Sequence, residues 1–436
     1  MAAETSTQVL LLHAKRLRGP NRSLNDLPDE ILLHILSFLP TLDAVNTSLI
    51  SRRWRPLWSL VPSLNFSYHL FPPAPQSDLN PTQDQAQFFA DFIDRALILR
   101  PDSAIQTFRL SFIFHQGYHI HVDSWIRCAV KRLKARQLHL DFFIDDNHHD
   151  GDTWFYDFHL SLLRHGCVEV LRLTHCFVTL PANMSAMNLC SLRSIFIERI
   201  DLTDQMVRDL VSGCPNLEDL ELRSCVGLKN LNICSSRIKK LVLGYDYDSE
   251  SKQSIEIDCP NLCSLSFSDC SSAQFVLKEA PALVEFRVDF ACLTDKYFDL
   301  WSKIVRLLEQ APHVEKLNVQ NWWYKLLISE DPFPKDFKLN NLNHLELRTG
   351  HTQYDLVGMA ALLKLCPNLQ TMVLDYLDKI EEDANLPEEF LNELGEFNMP
   401  KLKKVTIIAY TGTEVQLNFV TILKKQGVKI ELVCQI

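Results

Sequence analysis

A six-residue phrase recurs through this chain and constrains its fold more than any other feature. The segments Leu217 to Leu222, Ile238 to Leu243, Leu262 to Phe267, Leu283 to Val288, Val314 to Val319, Leu342 to Leu347, Leu369 to Leu374 and Leu402 to Ile407 all read apolar-x-x-apolar-x-apolar. Their starts lie 21, 24, 21, 31, 28, 27 and 33 residues apart. The closing x-apolar-x-apolar portion is a short strand, with apolar side chains turned into a core and the intervening residues turned outward. Between copies, Thr203 to Val211, Thr294 to Gln310 and Asp355 to Leu365 carry apolar residues at helical spacing and predict covering helices. One such unit cannot bury its own face, so neighbours must stack and share a core. Six copies begin with Cys214-Pro-Asn, Cys259-Pro-Asn, Ala280-Pro-Ala, Ala311-Pro-His, Cys366-Pro-Asn or Met399-Pro-Lys. There a small or soft apolar residue and a proline end the preceding segment.

Composition narrows the function. Glycine is scarce, 12 in 436 residues, and neither GxGxxG nor GxxxxGK[ST] occurs, which counts against a nucleotide-dependent enzyme. The 44 Lys and Arg against 54 Asp and Glu give a net charge of −10, unsuited to general nucleic-acid binding. Residues 1–23 run the other way, with Lys15, Arg16, Arg18 and Arg22 against Glu4, and read as a disordered basic arm. The longest uncharged run, Thr174 to Leu192, is too polar to span a membrane, and the N-terminus lacks a signal-peptide pattern. An odd thirteen cysteines without framework spacing suit a reducing compartment. An intracellular protein of nucleus or cytoplasm, with no membrane and no nucleic-acid partner, is the expectation.

Leu24 to Leu60 is dense in Leu, Ile and Trp. Asp29 to Leu39 predicts an amphipathic helix, with Pro28 in its first turn, Asp29 and Glu30 complementing its dipole and Pro40 stopping it. A second helix near Leu42 to Leu49 and a third from Ser51 follow, with Thr41 and Ser51 as N-caps. Three helices in so short a stretch are marginal alone and should pack on something else. Phe71 to Pro81, with four prolines, reads as an extended linker.

The recurring phrase matches the leucine-rich-repeat pattern. The N-terminal zone is recognisable beside it. Leu24-Asn-Asp-Leu27-Pro28-Asp29-Glu30-Ile31-Leu32 through Phe38-Leu39-Pro40 resembles an F-box, and Ser51-Arg52-Arg53-Trp54-Arg55-Pro56-Leu57-Trp58 resembles its plant form. The C-terminus, from Met399 through Thr413 and a helix to Gly427, is similar to the FBD region of plant F-box/leucine-rich-repeat proteins. Thr413 and Gln416 have capping-box spacing, and Gly427 stands where a helix C-cap belongs.

The expected fold is therefore α/β: an N-terminal three-helix F-box (24–70), a linker and connector helix (71–99), and a leucine-rich-repeat solenoid (100–365). That solenoid is a curved parallel sheet with helices and loops on its convex side, continued by an FBD-like region (366–436). The resemblance implies a non-catalytic substrate-recognition subunit of an SCF-type ubiquitin ligase, with no cofactor. In such a subunit the F-box docks a Skp-type adaptor, and through it a cullin, while the repeats hold a target protein. The alternative is a repeat-based receptor or scaffold whose F-box acts outside degradation. By motif match, Leu27, Pro28, Ile31, Leu32, Ile35, Leu36, Ser51, Arg52 and Trp54 supply adaptor contacts, some of them also packing the bundle. The outward strand positions Glu221, Arg223, Ser266, Arg287, Asp289, Asn318, Gln320, Glu346 and Arg348 are the candidate target face, whose mixed signs suit a protein better than a polyanion.

Other constellations have plainer readings. Cys259, Cys263 and Cys270 suggest zinc, but the Cys259 position is Ala or Met in other copies, which marks packing. His148, His149, Asp150 and Asp152 form a solvated turn after a predicted strand at Gln137–Ile144. No cysteine sits in a nucleophile motif. Trp322, Trp323 and Tyr324 follow a strand; at least two of them read as core, the alternative being an exposed aromatic edge that anchors a partner.

Overall fold

The structure, a computed structural model, describes residues 24–73, 81–143, 155–244, 254–268, 274–278, 280–289, 305–320, 337–350, 353–376 and 399–433. The basic arm, most of the linker, the His148–Asp152 cluster, Cys270 and the Trp322–Tyr324 run lie outside these. Two compact units emerge, one running through Tyr156 and including Gly166–Val168, the other holding Asp157–His165 and everything from Glu169.

In the first unit, helices Asp29–Leu36 and Thr41–Asn46 join short 3-10 turns at Leu24–Asp26, Thr47–Leu49 and Leu57–Leu60. The third helix expected from Ser51 is thus only a turn, because Pro56 interrupts that stretch. Thr41 is not an N-cap. It is the first helical residue after Pro40, and its Oγ1 accepts a hydrogen bond from the Asn65 N–H at 2.8 Å. Asn65 belongs to β1 (Ser63–Ser67), a strand inside the stretch expected to be F-box. It pairs in parallel with β2 (Thr107–Ile113), which pairs with β3 (Gln137–Phe143). Repeat sheet therefore begins before the linker rather than after it.

Helices Pro81–Leu99 and His119–Arg127 cover this sheet. Phe66, Phe89, Phe108, Phe112 and Trp125 fill the space between as buried rings, several in edge-to-face contact. The Trp125 indole donates to Asp94 at 2.6 Å, and the Tyr156 hydroxyl to Asp123 at 2.6 Å. Buried Arg100 donates to the Val61 carbonyl, tying the end of the helical segment to the repeat. Burial, and then the adjacent Arg132 guanidinium, pushes Arg100 down to about 10, which still leaves it charged at neutral pH.

The chain passes through β4 (Tyr156–His159) into the second unit. There β5 (Val170–Thr174), β7 (Ser194–Glu198), β8 (Asp219–Arg223), β10 (Lys240–Gly244), β12 (Ser264–Ser268), β14 (Glu285–Asp289), β15 (Lys316–Gln320), β16 (His344–Thr349), β17 (Thr371–Tyr376), β18 (Lys404–Ile408) and β19 (Lys429–Val433) form one parallel sheet in chain order. Registers stack like residues into columns. Ile195, Leu220, Leu241, Leu265, Phe286, Leu317, Leu345, Met372 and Val405 lie side by side across nine strands, all buried. β6 (Cys176–Thr179) lies outside this sheet.

Helices Asp204–Gly213, Gln353–Lys364 and Glu414–Lys425 fill three of the connections. Three other connections hold strands instead of the expected helices or loops. β9 (Asn230–Cys234), β11 (Ser254–Asp258) and β13 (Gln274–Leu277) form a second parallel sheet. It faces the first across the core, where Phe275 meets Phe267 at 4.3 Å between ring centroids. The Thr413–Gln416 capping box is present, and Gly427 follows that helix at φ +75°.

The Cys-Pro-Asn prefix is a tight turn. The Leu217, Leu262, Leu369 and Leu402 amides donate to the Cys214, Cys259, Cys366 and Met399 carbonyls, so proline takes the turn position whose φ it pre-sets. The asparagine then reaches one repeat back. Asn216 Nδ2 donates to the Cys190 carbonyl, Asn261 to Ser236, Asn341 to Pro312 and Asn368 to Asn340, at 2.6–2.8 Å. At the other end of the strands, His175, Arg199, Ser224 and Ala409 turn the chain with positive φ.

Candidate adaptor and target surfaces

Helical spacing splits the Asp29–Leu36 helix into two faces. Leu32 and Leu36 point inward and pack with Ala44, Trp54, Leu57 and Val61 into one small core, flanked by half-buried Leu27, Leu33, Leu39 and Trp58. Ile31 (46% exposed) and Ile35 (39%) face out, with Phe38 (74%), Leu49 (85%), Ile50 and Leu24 exposed beside them in sequence. Pro28 and Arg52 are exposed, and Ser51 is half-buried.

The nine residues expected to meet an adaptor thus divide by role. Leu32, Leu36 and Trp54 hold the bundle together, and Pro28, Ile31, Ile35 and Arg52 are the accessible ones. The Trp54 indole donates to Asn25 Oδ1 at 2.6 Å, and the Ser51 hydroxyl reaches the same oxygen at 3.4 Å. Arg53, which the motif match did not single out, donates to the Leu27 carbonyl at 2.6 Å and pairs with Asp29 at 2.5 Å. It closes the N-terminal turn against the later Trp54 segment.

On the outward face of the repeat sheet, most candidates are occupied by one another. Glu221 lies 2.7 Å from the Lys240 ammonium and 3.2 Å from Arg223. Its carboxyl is buried, which alone would raise its pKa. The Lys240 hydrogen bond and the charges of Lys240, Arg223 and Arg172 outweigh that and hold it below the usual carboxylate value. Arg223 and Arg172 also lie over the Phe196 ring, at 5.6 and 4.8 Å from its centroid, a cation–π arrangement.

Further along, Arg287 reaches Glu346 at 3.5 Å across the intervening strand, and Asn318 between them donates to the same carboxylate. His344 lies 3.5 Å from Glu346 and 2.7 Å from the Thr371 hydroxyl. Arg348 pairs with Asp289 at 3.2 Å and with Asp375 at 3.3 Å. Gln320 ends β15 opposite Arg348 in register. Ser266 stands apart from both networks, on β12 between Val242 and Arg287. Phe196, Lys240, His344 and Asp375 belong to this face, and sequence reasoning missed them. They occupy the same outward strand positions, so the phrase itself could have found them.

Among the described residues no group of three or more His, Cys, Asp and Glu is placed to hold a metal ion. Cys214, Cys259 and Cys366 are buried at the turn positions. Burial pushes the first and last thiols up to about 12 and Cys259 to about 11, the opposite of an activated nucleophile. Among the described residues no helix is long and apolar enough to cross a membrane.

Comparison with known proteins agrees with this architecture. The F-box domain family model matches residues 24–66, and the model described as "At1g61320/AtMIF1, LRR domain" matches residues 98–431. Among relatives, the F-box/FBD/LRR-repeat protein At5g22700 of Arabidopsis thaliana is 28% identical, over 85% of this chain and 84% of its own length. The F-box/FBD/LRR-repeat protein At4g00160 of the same plant is 27% identical, over 94% and 82%. The F-box/LRR-repeat protein At4g14103, also from Arabidopsis, is 27% identical, over 83% and 93%. With the repeat-domain model matching well over half of its length and the F-box model its N-terminal helices, the chain belongs to the plant F-box/leucine-rich-repeat proteins.

Proposed function

We propose that this chain is the substrate-recognition subunit of an SCF-type ubiquitin ligase, contributing no catalysis itself. Its F-box docks a Skp-type adaptor and, through it, a cullin. Its repeat sheet receives the target protein. The observation that carries this reading is the division of the Asp29–Leu36 helix. Ile31 and Ile35 are held outward by a core that does not use them, and exposed apolar side chains grouped on one element mark an interaction surface. Burying each in an interface is worth roughly 1.5–3 kcal/mol. On the sheet, the paired charges of Arg287, Asp289, Glu346 and Arg348 present fixed signs to a protein surface, which favours specificity over raw affinity.

The test is co-expression of the full chain with a Skp-type adaptor, followed by affinity capture of the complex and blotting for cullin. Ile31→Asp combined with Ile35→Asp is expected to abolish capture while leaving the circular-dichroism spectrum and melting temperature unchanged. Undiminished adaptor capture by that variant would refute the docking surface. Capture of adaptor without cullin would refute the ligase assignment.

A further inference from the structure

Arg172 stands on β5 beside Phe196 of β7 in register, and Glu221 of β8 stands on the other side of that ring. The other arginines at outward strand positions of the second unit are committed. Arg223 reaches Glu221, Arg287 reaches Glu346 and Arg348 reaches Asp289. Arg172 is exposed, and among the described residues it has neither an ion-pair nor a hydrogen-bond partner. Its contact is the ring. The guanidinium carbon lies 4.8 Å from the Phe196 centroid, and that of Arg223 lies 5.6 Å from it. Glu221 is buried and already taken, by Lys240 at 2.7 Å and Arg223 at 3.2 Å. A guanidinium resting on an aromatic face has given up much of its rotamer freedom, while its fork of N–H donors stays open to a planar anion.

We infer that Arg172, seated on Phe196, receives the carboxylate of a Glu or Asp side chain of the target protein. This selectivity rests on the proposed role of the repeat sheet as the target surface. A carboxylate matches the guanidinium fork in a bidentate pair, and the methylenes of the acid cover the half-buried Phe196 ring. Neighbouring charge sets the valence of the ligand. Glu221 adjoins the ring in register and Glu198 follows two residues along β7, so the dianion of a phosphorylated residue would stand among carboxylates. A single negative charge is balanced by Arg172 itself. The acid lies within a segment rather than at a chain end. The pairs Arg287–Glu346 and Arg348–Asp289 continue the face on later strands of the same sheet and offer the target chain opposed signs to run over.

Peptide display against the purified full-length chain supplies the probe. Calorimetric titration with a selected peptide and its amide counterpart then reads the pairing. Selected sequences should share Glu or Asp at one position, and replacing that acid by its amide should weaken binding about tenfold. Arg172→Gln should bind acid and amide peptides equally, at the weaker affinity, which isolates the pair in a double-mutant cycle. Arg172→Lys keeps the charge without the fork and should recover only part of the preference. Phe196→Leu keeps an apolar side chain without the ring and should also lower it. Circular-dichroism melts confirm that each variant is folded. A selection without a shared acid overturns the inference. So does a wild-type chain that binds acid and amide peptides alike, an Arg172→Gln variant that keeps the preference, or a phosphoserine peptide that binds more tightly than the Glu peptide. Adaptor and cullin capture is read separately. A chain that captures both but ignores the acid loses this inference alone, and one that selects the acid but captures no adaptor loses the ligase assignment alone.

Discussion

Glu221 shows how a charge on the outward face of a repeat sheet is held. Crowding by neighbouring strands buries it, and Lys240 with Arg223 restores what burial removes. Its folded pKa lies below its unfolded value. The stabilisation is therefore complete above the ordinary carboxylate range and is lost as pH falls through the folded value. Lys240→Met keeps the aliphatic stem and removes the charge. Asp219, already pushed up by burial, loses a compensating cation in the same variant. The variant is expected to lose about 1–3 kcal/mol at pH 7, and less near pH 4.5, where carboxyls begin to neutralise. Urea melts at the two pH values measure this, and an equal loss at both would contradict it. The buried thiols give a second residue-scale expectation. Under native conditions at pH 8, iodoacetamide should modify exposed Cys190, Cys234 and Cys263 while Cys214, Cys259 and Cys366 react only after unfolding. The sequence predicted those prefix cysteines as packing residues, since Ala and Met alternate with Cys there. It could not divide Leu32 from Ile31, because both satisfy helical spacing and only the position of Trp54 decides which one the core takes.

Elements were legible where the apolar phrase was recognised, from Leu217 onward, and in the strand expected at Gln137–Ile144. The same phrase also stands in Val61 to Phe66, Ile105 to Leu110, Ala135 to Leu140, Val168 to Leu173 and Leu192 to Ile197, and each of these ends in a strand. Four of those five open with leucine, isoleucine or valine as the other copies do and only Ala135 departs, so the register is the same along the whole series. The second sheet was not foreseen. Asn230 to Cys234 and Ser254 to Asp258 alternate polar and apolar with period two, a strand signal. The expectation named helices only over Thr203 to Val211, Thr294 to Gln310 and Asp355 to Leu365 and left these connections as helices or loops of the convex side. The asparagine ladder joins neighbouring repeats through a side chain that reads as mere turn composition. Asn261→Ala removes its donor to Ser236 and should cost about 1 kcal/mol in a urea melt, with strand content unchanged by circular dichroism. Asn261→Asp, which cannot donate, should cost at least as much. A neutral outcome for both would remove the ladder from the account of repeat stacking.

At the scale of the first unit, the F-box depends on the repeats beside it. Its own core is six buried residues, Leu32, Leu36, Ala44, Trp54, Leu57 and Val61, well under what a stretch below about 40 residues needs to fold alone. The remainder of its support comes from across the chain. Thr41 accepts from Asn65 of β1, Arg100 donates to Val61, and the Gln106 amide donates to Pro62 at 2.7 Å. The marginality of three short helices was legible in their length. What they lean on was not, because β1 lies within the segment whose motif marks it as helical. A fragment of residues 24–62 is therefore expected to give a random-coil circular-dichroism spectrum and to leave a Skp-type adaptor uncaptured. A fragment of residues 24–168, which spans the described residues of the first unit, should melt cooperatively and capture the adaptor as the full chain does. Arg100→Ala within that longer fragment removes the tie to Val61 and should lower its melting temperature. The adaptor should raise it again by mass action, because it binds only the folded F-box. If residues 24–62 folded and bound unaided, the F-box would be an independent module and its contacts with β1 and Arg100 incidental.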